Sequence, residues 1–478
     1  MMQPNWLMQR SYLTPNRVAL SFQNKEWTFK ELHLEAMCIA EQLASLQLRS
    51  GDRVAILSPS TPELIMMIYS CMHMQLEIVL LNGRLSVPEL TYQIDDAQVK
   101  AILVHEREQE RLQADERIIM FNTVFTAAKT PIQMATEWDD AATISIMYTS
   151  GTTGFPKGVR QTVQNHSVSA ISSALNLGIK EDDVWLCAVP IFHISGFSIL
   201  MRSLLYGMTV RLYEKFDEAI CAQEIAKGTV TKISVVAAML ERILTYMEEH
   251  GLVASPRFTT VLLGGGPVPV EYLVRAAKLH LPVAQTYGMT ETASQTTTLS
   301  NEDAIRKIGS AGKPLFFNQI KIDGATKPKE EGEICIRGPH VTPGYIGKFT
   351  ERASTQDGWL KTGDIGYLDE EGYLYVIDRR SDLIISGGEN IYPAEIEKIL
   401  AAHPAVKEAG ICGIEDQTWG QVPIAFVVLK KQLTEDELID FCKTQLATYK
   451  LPKRIYFVNE LPRSGSNKLL RRKLKEML

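Results

Sequence analysis

The first two-thirds of the chain alternates short apolar runs with helix patterns, and this alternation constrains the fold more than any other feature. Strand-like 54–57 is followed by a helix pattern over 62–73 and then by the apolar run 78–81. The order recurs where strand-like 233–236 precedes a helix pattern over 237–249. Such alternation predicts a mostly parallel sheet with helices on its faces. Ligands of these sheets usually bind beyond the carboxyl ends of the strands.

The chain has 478 residues, which is too long for one compact core. After about Gly309 the pattern changes to short strands separated by glycine and aspartate, which predicts a β-rich subdomain. A capping box at 434–437 marks a helix within a later α+β unit. We place the boundary at the charged stretch 378–382, which gives a large N-terminal domain (1–380) and a small C-terminal domain (381–478).

Composition excludes several classes of protein. The net charge of −6 argues against a general nucleic-acid binder, which needs a basic surface. The seven cysteines include no CxxC pair, so they offer no zinc site and fit a reducing cytosol. The N-terminus lacks an uninterrupted apolar core, and Gln75 and Glu77 break the most apolar stretch, so we expect no signal peptide and no membrane span. A cytoplasmic protein is expected, and its oligomeric state is left open.

The strand-like run Ile144–Tyr148 leads directly into a loop rich in hydroxyl groups, Thr149–Gly158. Its ten residues hold four hydroxyls, three glycines and one lysine, Lys157. Glycines let backbone N–H groups converge on an anion, and the hydroxyls and the lysine add donors and positive charge for phosphate. The spacing does not fit the Walker A pattern, so a P-loop kinase or ATPase is disfavoured.

Together with later motifs, this loop resembles the signature of the adenylate-forming superfamily, which includes acyl-CoA synthetases, aryl-CoA ligases, amino-acid adenylation domains and firefly-type luciferases. The later motifs follow in the family's order: Phe192-His193 with Ser195-Gly196, Tyr287–Thr292, Thr362-Gly363-Asp364, the stretch Asp378–Glu397, and Lys468. The resemblance implies ATP and coenzyme A as co-substrates, Mg²⁺ as cofactor, and an acyl-adenylate as the intermediate. It also implies a large domain of parallel-rich sheets with a β-rich subdomain, followed by a mobile α+β domain.

The resemblance implies a role for each matching residue. ATP-binding positions would be Thr149, Ser150, Gly151, Thr152, Thr153, Lys157, Gly265, Gln285, Tyr287, Gly288, Met289, Thr290, Asp364 and Arg379. Glu291 would hold magnesium, which suits a hard cation with few protein ligands. Lys468 would reach the α-phosphate, although Asn467 stands where relatives usually carry glycine. His193 would orient the carboxylate.

The family rotates its small domain between two half-reactions, which here implies a hinge at Ser381, where many relatives carry Asp or Lys. The rotation would bring a loop containing Gly387 and Gly388 to the tunnel for the coenzyme A thiol.

Within the superfamily, the chain is most similar to the 2-succinylbenzoate–CoA ligases of menaquinone synthesis. Matching segments include Pro4–Arg10, Leu175–Gly178 and Ser466–Arg471. The acid would contact His193, Ser195, Arg202, Gly264 and Gly266, with Arg202 pairing the carboxylate that is not activated. Two alternatives stay open: a synthetase for another carboxylic acid, and a stand-alone carrier-loading adenylation enzyme.

Overall fold

A computed structural model describes residues 1–149, 155–265, 268, 270–300, 303–304, 306–378, 383–462, 469 and 471–478. Its strands in chain order are β1 (Met2–Pro4), β2 (Val18–Phe22), β3 (Lys25–Thr28), β4 (Arg53–Leu57), β5 (Glu77–Leu80), β6 (Ala101–Val104), β7 (Ile118–Met120), β8 (Glu137–Asp139), β9 (Thr143–Thr149), β10 (Lys157–Thr162), β11 (Val184–Cys187), β12 (Thr209–Leu212), β13 (Lys232–Val235), β14 (Thr260–Leu263), β15 (Val283–Met289), β16 (Ser294–Thr298), β17 (Lys313–Pro314), β18 (Gln319–Ile322), β19 (Gly332–Arg337), β20 (Leu360–Leu368), β21 (Leu374–Asp378), β22 (Ile384–Ser386), β23 (Glu389–Ile391), β24 (Val406–Asp416), β25 (Gly420–Leu429) and β26 (Ile455–Phe457).

The α-helices lie mostly between these strands and vary from 6 to 17 residues in length. They are α1 (Trp6–Leu13), α2 (Phe29–Ser45), α3 (Pro62–His73), α4 (Val87–Ala97), α5 (Phe121–Thr126), α6 (Val163–Leu177), α7 (Ile194–Tyr206), α8 (Glu218–Lys227), α9 (Ala237–Glu249), α10 (Val270–Lys278), α11 (Pro393–Ala402) and α12 (Glu435–Lys443). No helix in the described ranges is long and apolar enough to cross a membrane.

Two large sheets form most of the N-terminal part. One has the order β10-β9-β5-β4-β6-β7, and the other has the order β17-β16-β15-β14-β13-β11-β12-β2-β3. Strand pairs inside both sheets are parallel, and antiparallel pairs occur toward their edges, such as β9 with β10 and β15 with β16. The predicted α/β class is therefore confirmed, with the alternating pattern distributed over two sheets.

Both faces of the inner strands are buried, which is typical of parallel sheets. Along β4, Val54 and Ile56 face the core between the two sheets, where α2 and α3 also pack. The intervening Ala55 and Leu57 face the opposite side, against Leu90 of α4. Because side chains alternate along a strand, each strand contributes to two separate cores.

A β-rich subdomain follows, with the antiparallel order β18-β19-β20-β21. The small domain, by which we mean the described residues from 383 onward, has its own five-stranded sheet and a core in which Ile396 and Leu438 are fully buried. Its helix α12 begins with the predicted capping box, since Glu437 accepts from the backbone of Thr434 at 2.9 Å. Residues 379–382 of the predicted boundary lie outside the described ranges, so that boundary stays a prediction.

The carboxyl ends of the two large sheets point toward one region. Strands β5 and β9 of the first sheet and β13, β14 and β15 of the second end beside it, and the small domain covers it. This convergence is the topological reason for a ligand site at this place.

Candidate active site

A cavity of about 590 Å³ occupies this region. The small domain contributes Gly388, Glu389 and Asn390 to its wall. Many of the residues singled out in the sequence line it together. These are Thr149, Lys157, His193, Ser195, Arg202, Gly264, Gly265, Gly288, Met289, Thr290, Glu291, Asp364 and Gly388.

Other predicted residues lie beside the cavity or beyond the described ranges. Gln285, Tyr287 and Gly387 are described but do not line the cavity wall. The positions outside the described ranges are Ser150, Gly151, Thr152, Thr153, Gly266, Arg379, Ser381 and Lys468. Their roles stay predictions.

The segment that carries Thr290 and Glu291 is held by contacts with neighbouring strands. The side-chain amide of Gln161 donates to the carbonyl of Thr290 at 2.8 Å, and Gln161 in turn accepts from Ser145 at 2.7 Å. The backbone N–H of Thr342 donates to the carbonyl of Glu291 at 2.8 Å. These bonds leave the Glu291 side chain at the cavity wall.

Asp364 lies on β20 and is positioned by a buried tyrosine. The hydroxyl of Tyr287 donates to Asp364 Oδ2 at 2.7 Å, and both residues are buried. The ring of Tyr287 belongs to the core of the β-rich subdomain. The tyrosine therefore connects that core to the carboxylate that faces the cavity.

Lys157 belongs to the hydroxyl-rich loop Thr149–Gly158 and is the first residue of β10. It is buried, and its ammonium lies 5.6 Å from the ring centre of Tyr345 and 5.5 Å from that of Phe349. Aromatic faces attract a cation and exclude water from it. The charge is thus held at the cavity with its hydration reduced.

Arg202 lies on α7 and is only 1% exposed. Its Nη2 donates to Gln295 Oε1 at 3.0 Å and to Ser294 Oγ at 3.3 Å, and its guanidinium lies 5.1 Å from the Trp185 ring centre. The Nε and Nη1 atoms have no hydrogen-bond partner among the described residues. Burial lowers the pKa of this guanidinium below its usual range, and an anion in the cavity would offset that cost.

His193 precedes α7 and faces the small domain. Its Nε2 lies 3.2 Å from Oε2 of Glu389, while Arg84 Nη1 donates to Oε1 of the same carboxylate at 2.9 Å. Burial alone raises the pKa of Glu389, but His193, Arg84 and Lys450 outweigh it and hold the pKa below its usual range. An ionised Glu389 therefore joins the small domain to the cavity wall.

Three residues at the site were not predicted from the sequence: Ser234, Gln295 and Arg84. Ser234 accepts from the Trp185 indole at 3.1 Å and lines the cavity. Arg84 follows the carboxyl end of β5, so its place in an α/β chain was a usable signal. Gln295 reaches Arg202 through the antiparallel pairing of β15 with β16, which no local pattern indicates.

Gly288 sits where no side chain fits, because an added Cβ would lie 1.7 Å from the carbonyl oxygen of Ser294. We expect Gly288→Ala to push β15 from β16 and to cost about 1–3 kcal/mol or more of unfolding free energy. Urea denaturation measures this cost. Gly83→Ala is the control, since its added Cβ meets only the mobile carboxylate of Glu108 at 3.1 Å. Equal stability of the two variants would contradict the close approach.

Two family models match the chain: an AMP-binding enzyme over residues 8–346 and an AMP-binding enzyme C-terminal domain over residues 395–468. The 2-succinylbenzoate–CoA ligase of Bacillus pumilus is 47% identical over 480 residues, covering 99% of this chain and 98% of that protein.

Solved structures of o-succinylbenzoate CoA synthetase from Bacillus subtilis are similar over nearly the whole chain. A double mutant bound with the product analogue OSB-NCoA is 47% identical, covers 100% of this chain and 98% of its own, and gives a TM-score of 0.94. The same enzyme with the acyl-adenylate intermediate OSB-AMP is 47% identical, covers 99% of this chain and 98% of its own, and gives a TM-score of 0.76. Its complex with ATP and magnesium is 47% identical, covers 99% of this chain and 100% of its own, and also gives a TM-score of 0.76.

The motifs that pointed to a superfamily thus agree with models that match both parts of the chain, and their residues meet at one cavity. The relatives extend this agreement over nearly the full length. On these grounds the chain belongs to the AMP-binding enzyme family.

Proposed function

We propose that this chain is an ATP-dependent ligase that converts 2-succinylbenzoate to 2-succinylbenzoyl-CoA in menaquinone biosynthesis. An acyl-adenylate is the intermediate, and AMP and pyrophosphate are the products besides the thioester. The full-length identity with ligases of that name supports the reaction. The observation that carries the substrate is Arg202, a buried cation at the cavity with two guanidinium nitrogens unpaired among the described residues.

The first half-reaction joins two anions, so the site must supply positive charge and fixed geometry. A carboxylate oxygen of the acid attacks the α-phosphorus of ATP, and pyrophosphate leaves. Lys157, poorly hydrated between Tyr345 and Phe349, is placed to attract phosphate oxygens. Asp364, fixed by Tyr287, can accept both hydroxyls of a ribose.

The residues present fit magnesium. Glu291 lines the cavity beside the hydroxyl-bearing Thr290. Among the described residues no group of three acidic, histidine or cysteine side chains gathers into a metal cage. A magnesium ion there would take most of its ligands from phosphate and water, as this cation prefers, and would neutralise phosphate charge.

The second half-reaction transfers the acyl group to sulfur. The thiolate of coenzyme A attacks the acyl carbon, the bond from that carbon to the phosphate oxygen breaks, and AMP leaves. In the present domain arrangement the loop with Gly388 and Glu389 meets His193 at the cavity. Gly388 has a φ of +86°, a backbone conformation that side chains rarely adopt, which favours glycine in this loop. We infer that this loop lines the path of the thiol.

The substrate carries a second carboxylate that takes no part in the chemistry. A buried ionised carboxylate needs a paired charge and hydrogen bonds. Nε and Nη1 of Arg202 can provide both, while Gln295 and the Trp185 ring hold the guanidinium in place. Acids with a single carboxylate would leave these N–H groups unpaired, which is the physical basis of selectivity.

The assignment is tested with purified protein, ATP and Mg²⁺. Without coenzyme A, we expect 2-succinylbenzoate to support exchange of labelled pyrophosphate into ATP, and added coenzyme A to yield the thioester. Benzoate, octanoate and amino acids serve as the comparison panel. Exchange with octanoate or an amino acid but not with 2-succinylbenzoate would overturn the substrate assignment.

Arg202→Met removes the cation and keeps an apolar side chain of similar length. We expect kcat/KM for 2-succinylbenzoate to fall about 10–100-fold, because a charge-assisted hydrogen bond in a dry site is lost. An analogue of 2-succinylbenzoate that lacks only the carboxylate that is not activated should not show this loss. Arg257→Met, at an arginine whose side chain is 43% exposed and does not line the cavity, is the matched control. An equal loss for this analogue and for the substrate would contradict carboxylate recognition.

Lys468→Ala tests the division of labour between the half-reactions. We expect adenylation to fall by about 10²–10³-fold, as for loss of one preorganised donor at a transition state. Thioester formation from supplied acyl-adenylate should survive. Single-turnover assays of each half-reaction measure both quantities, and an equal loss in the two would refute the predicted role of this lysine.

A further inference from the structure

A second contact between the domains uses residues other than the His193–Glu389 pair. On the large domain, Ser86 and Glu89 form the capping box of α4. Both also reach the small domain, where Ser86 Oγ donates to the carbonyl of Gln445 at 2.8 Å and Glu89 Oε2 accepts from the backbone of Ala447 at 3.0 Å. The cap of one helix is thus also a docking point for the other domain.

A buried lysine completes this contact. Lys450 Nζ lies 2.5 Å from Glu89 Oε1, and 2.8 and 3.0 Å from the two carboxylate oxygens of Glu395. The three side chains are only 4%, 9% and 10% exposed. Burial alone lowers the pKa of Lys450, but Glu395 and Glu89 outweigh it and raise the pKa above its usual value. The lysine is therefore held as a cation.

The two carboxylates differ in where they come from. Glu395 and Lys450 belong to the same small domain, so their pairing does not depend on how the domains are arranged. Glu89 belongs to the large domain and meets Lys450 only when the small domain sits as it does here. Because Lys450 pairs with Glu89 across the two domains, this contact is specific to the present arrangement, whereas its pairing with Glu395 is not.

The same arrangement of the domains places the loop with Gly388 and Glu389, which we infer to line the path of the thiol, at the cavity. Tyr449 and Lys450 line the cavity along with Gly388 and Glu389. The Bacillus subtilis structures differ from one another in their similarity to this chain. The one with the product analogue gives a TM-score of 0.94, and those with acyl-adenylate or with ATP and magnesium give 0.76.

We propose that Glu89 and Lys450 are positioning residues for the thioester-forming step, because their buried ion pair holds the small domain where its loop completes the thiol path. This inference rests on the proposed ligase function. Their proposed role is to position other residues rather than to contact the reacting atoms, although Lys450 also lines the cavity. They act through the placement of Gly388 and Glu389.

The test measures each half-reaction of Glu89→Gln in the full-length protein. Pyrophosphate exchange with 2-succinylbenzoate reports adenylation, and a single turnover of supplied acyl-adenylate with coenzyme A reports thioester formation. We expect the ratio of thioester formation to adenylation to fall about tenfold or more, since a charge-assisted contact across the domains is lost. The ratio is insensitive to a lower folded fraction, and glutamine at this position still supports the capping box.

Glu395→Gln is the matched control, because it makes the same change beside the same lysine but within the small domain. It should leave the ratio unchanged. Lys450→Met should lower the ratio as Glu89→Gln does. Lys450→Arg keeps the positive charge and should preserve much of the ratio. The double variant Glu89→Gln with Lys450→Met should lower the ratio no further than either single change.

An unchanged ratio in Glu89→Gln, or an equal shift in Glu395→Gln, would overturn the positioning role. Failure of the ligase assignment itself is distinguished beforehand, since the unaltered protein would then lack both half-reactions with 2-succinylbenzoate.

Discussion

Ionised side chains can be buried only where opposite charges and hydrogen-bond donors surround them, and the two domains of this protein meet through such groups. Glu389 of the small domain is enclosed by His193 and Arg84, and Lys450 is enclosed by Glu89 and Glu395. Part of the cavity wall, including Gly388 and Asn390, depends on this docking. An apolar contact would hold the domains together as well, but it would not specify one orientation so closely, since ion pairs with short bonds tolerate little displacement.

The fold was largely predictable because its information is local. Helices α3 and α9 begin and end where the residue pattern places them, at Pro62–His73 and Ala237–Glu249. The order of strands was not predictable, since β2 lies beside β12 and β9 beside β5 across long stretches of chain. The pairing of buried parallel strands depends on how whole layers of helices and strands pack, so the local sequence of a strand does not indicate which strand lies beside it.

The site divides in the same way. Glycine- and hydroxyl-rich loops and single polar residues after apolar runs could be found in the sequence, and the cavity brings many of them together. Tyr287 shows the limit, because the resemblance makes it an ATP-binding position, but only the structure reveals that its ring lies in a core and that its hydroxyl donates to Asp364. Contacts between residues 305 or 361 positions apart, as for Arg84 with Glu389 and Glu89 with Lys450, leave no local trace.

The seven cysteines bear on the chemistry at this cavity as well as on the redox compartment. All seven lie in the described part of the chain, and none of them lines the cavity wall. Burial raises the pKa of Cys187, at the end of β11, to about 12, so this sulfur stays protonated and unreactive. An acyl-adenylate is an electrophile that would acylate any thiolate it met. The fold thus keeps these cysteine thiols away from the intermediate, and the incoming cofactor brings the thiol that attacks it.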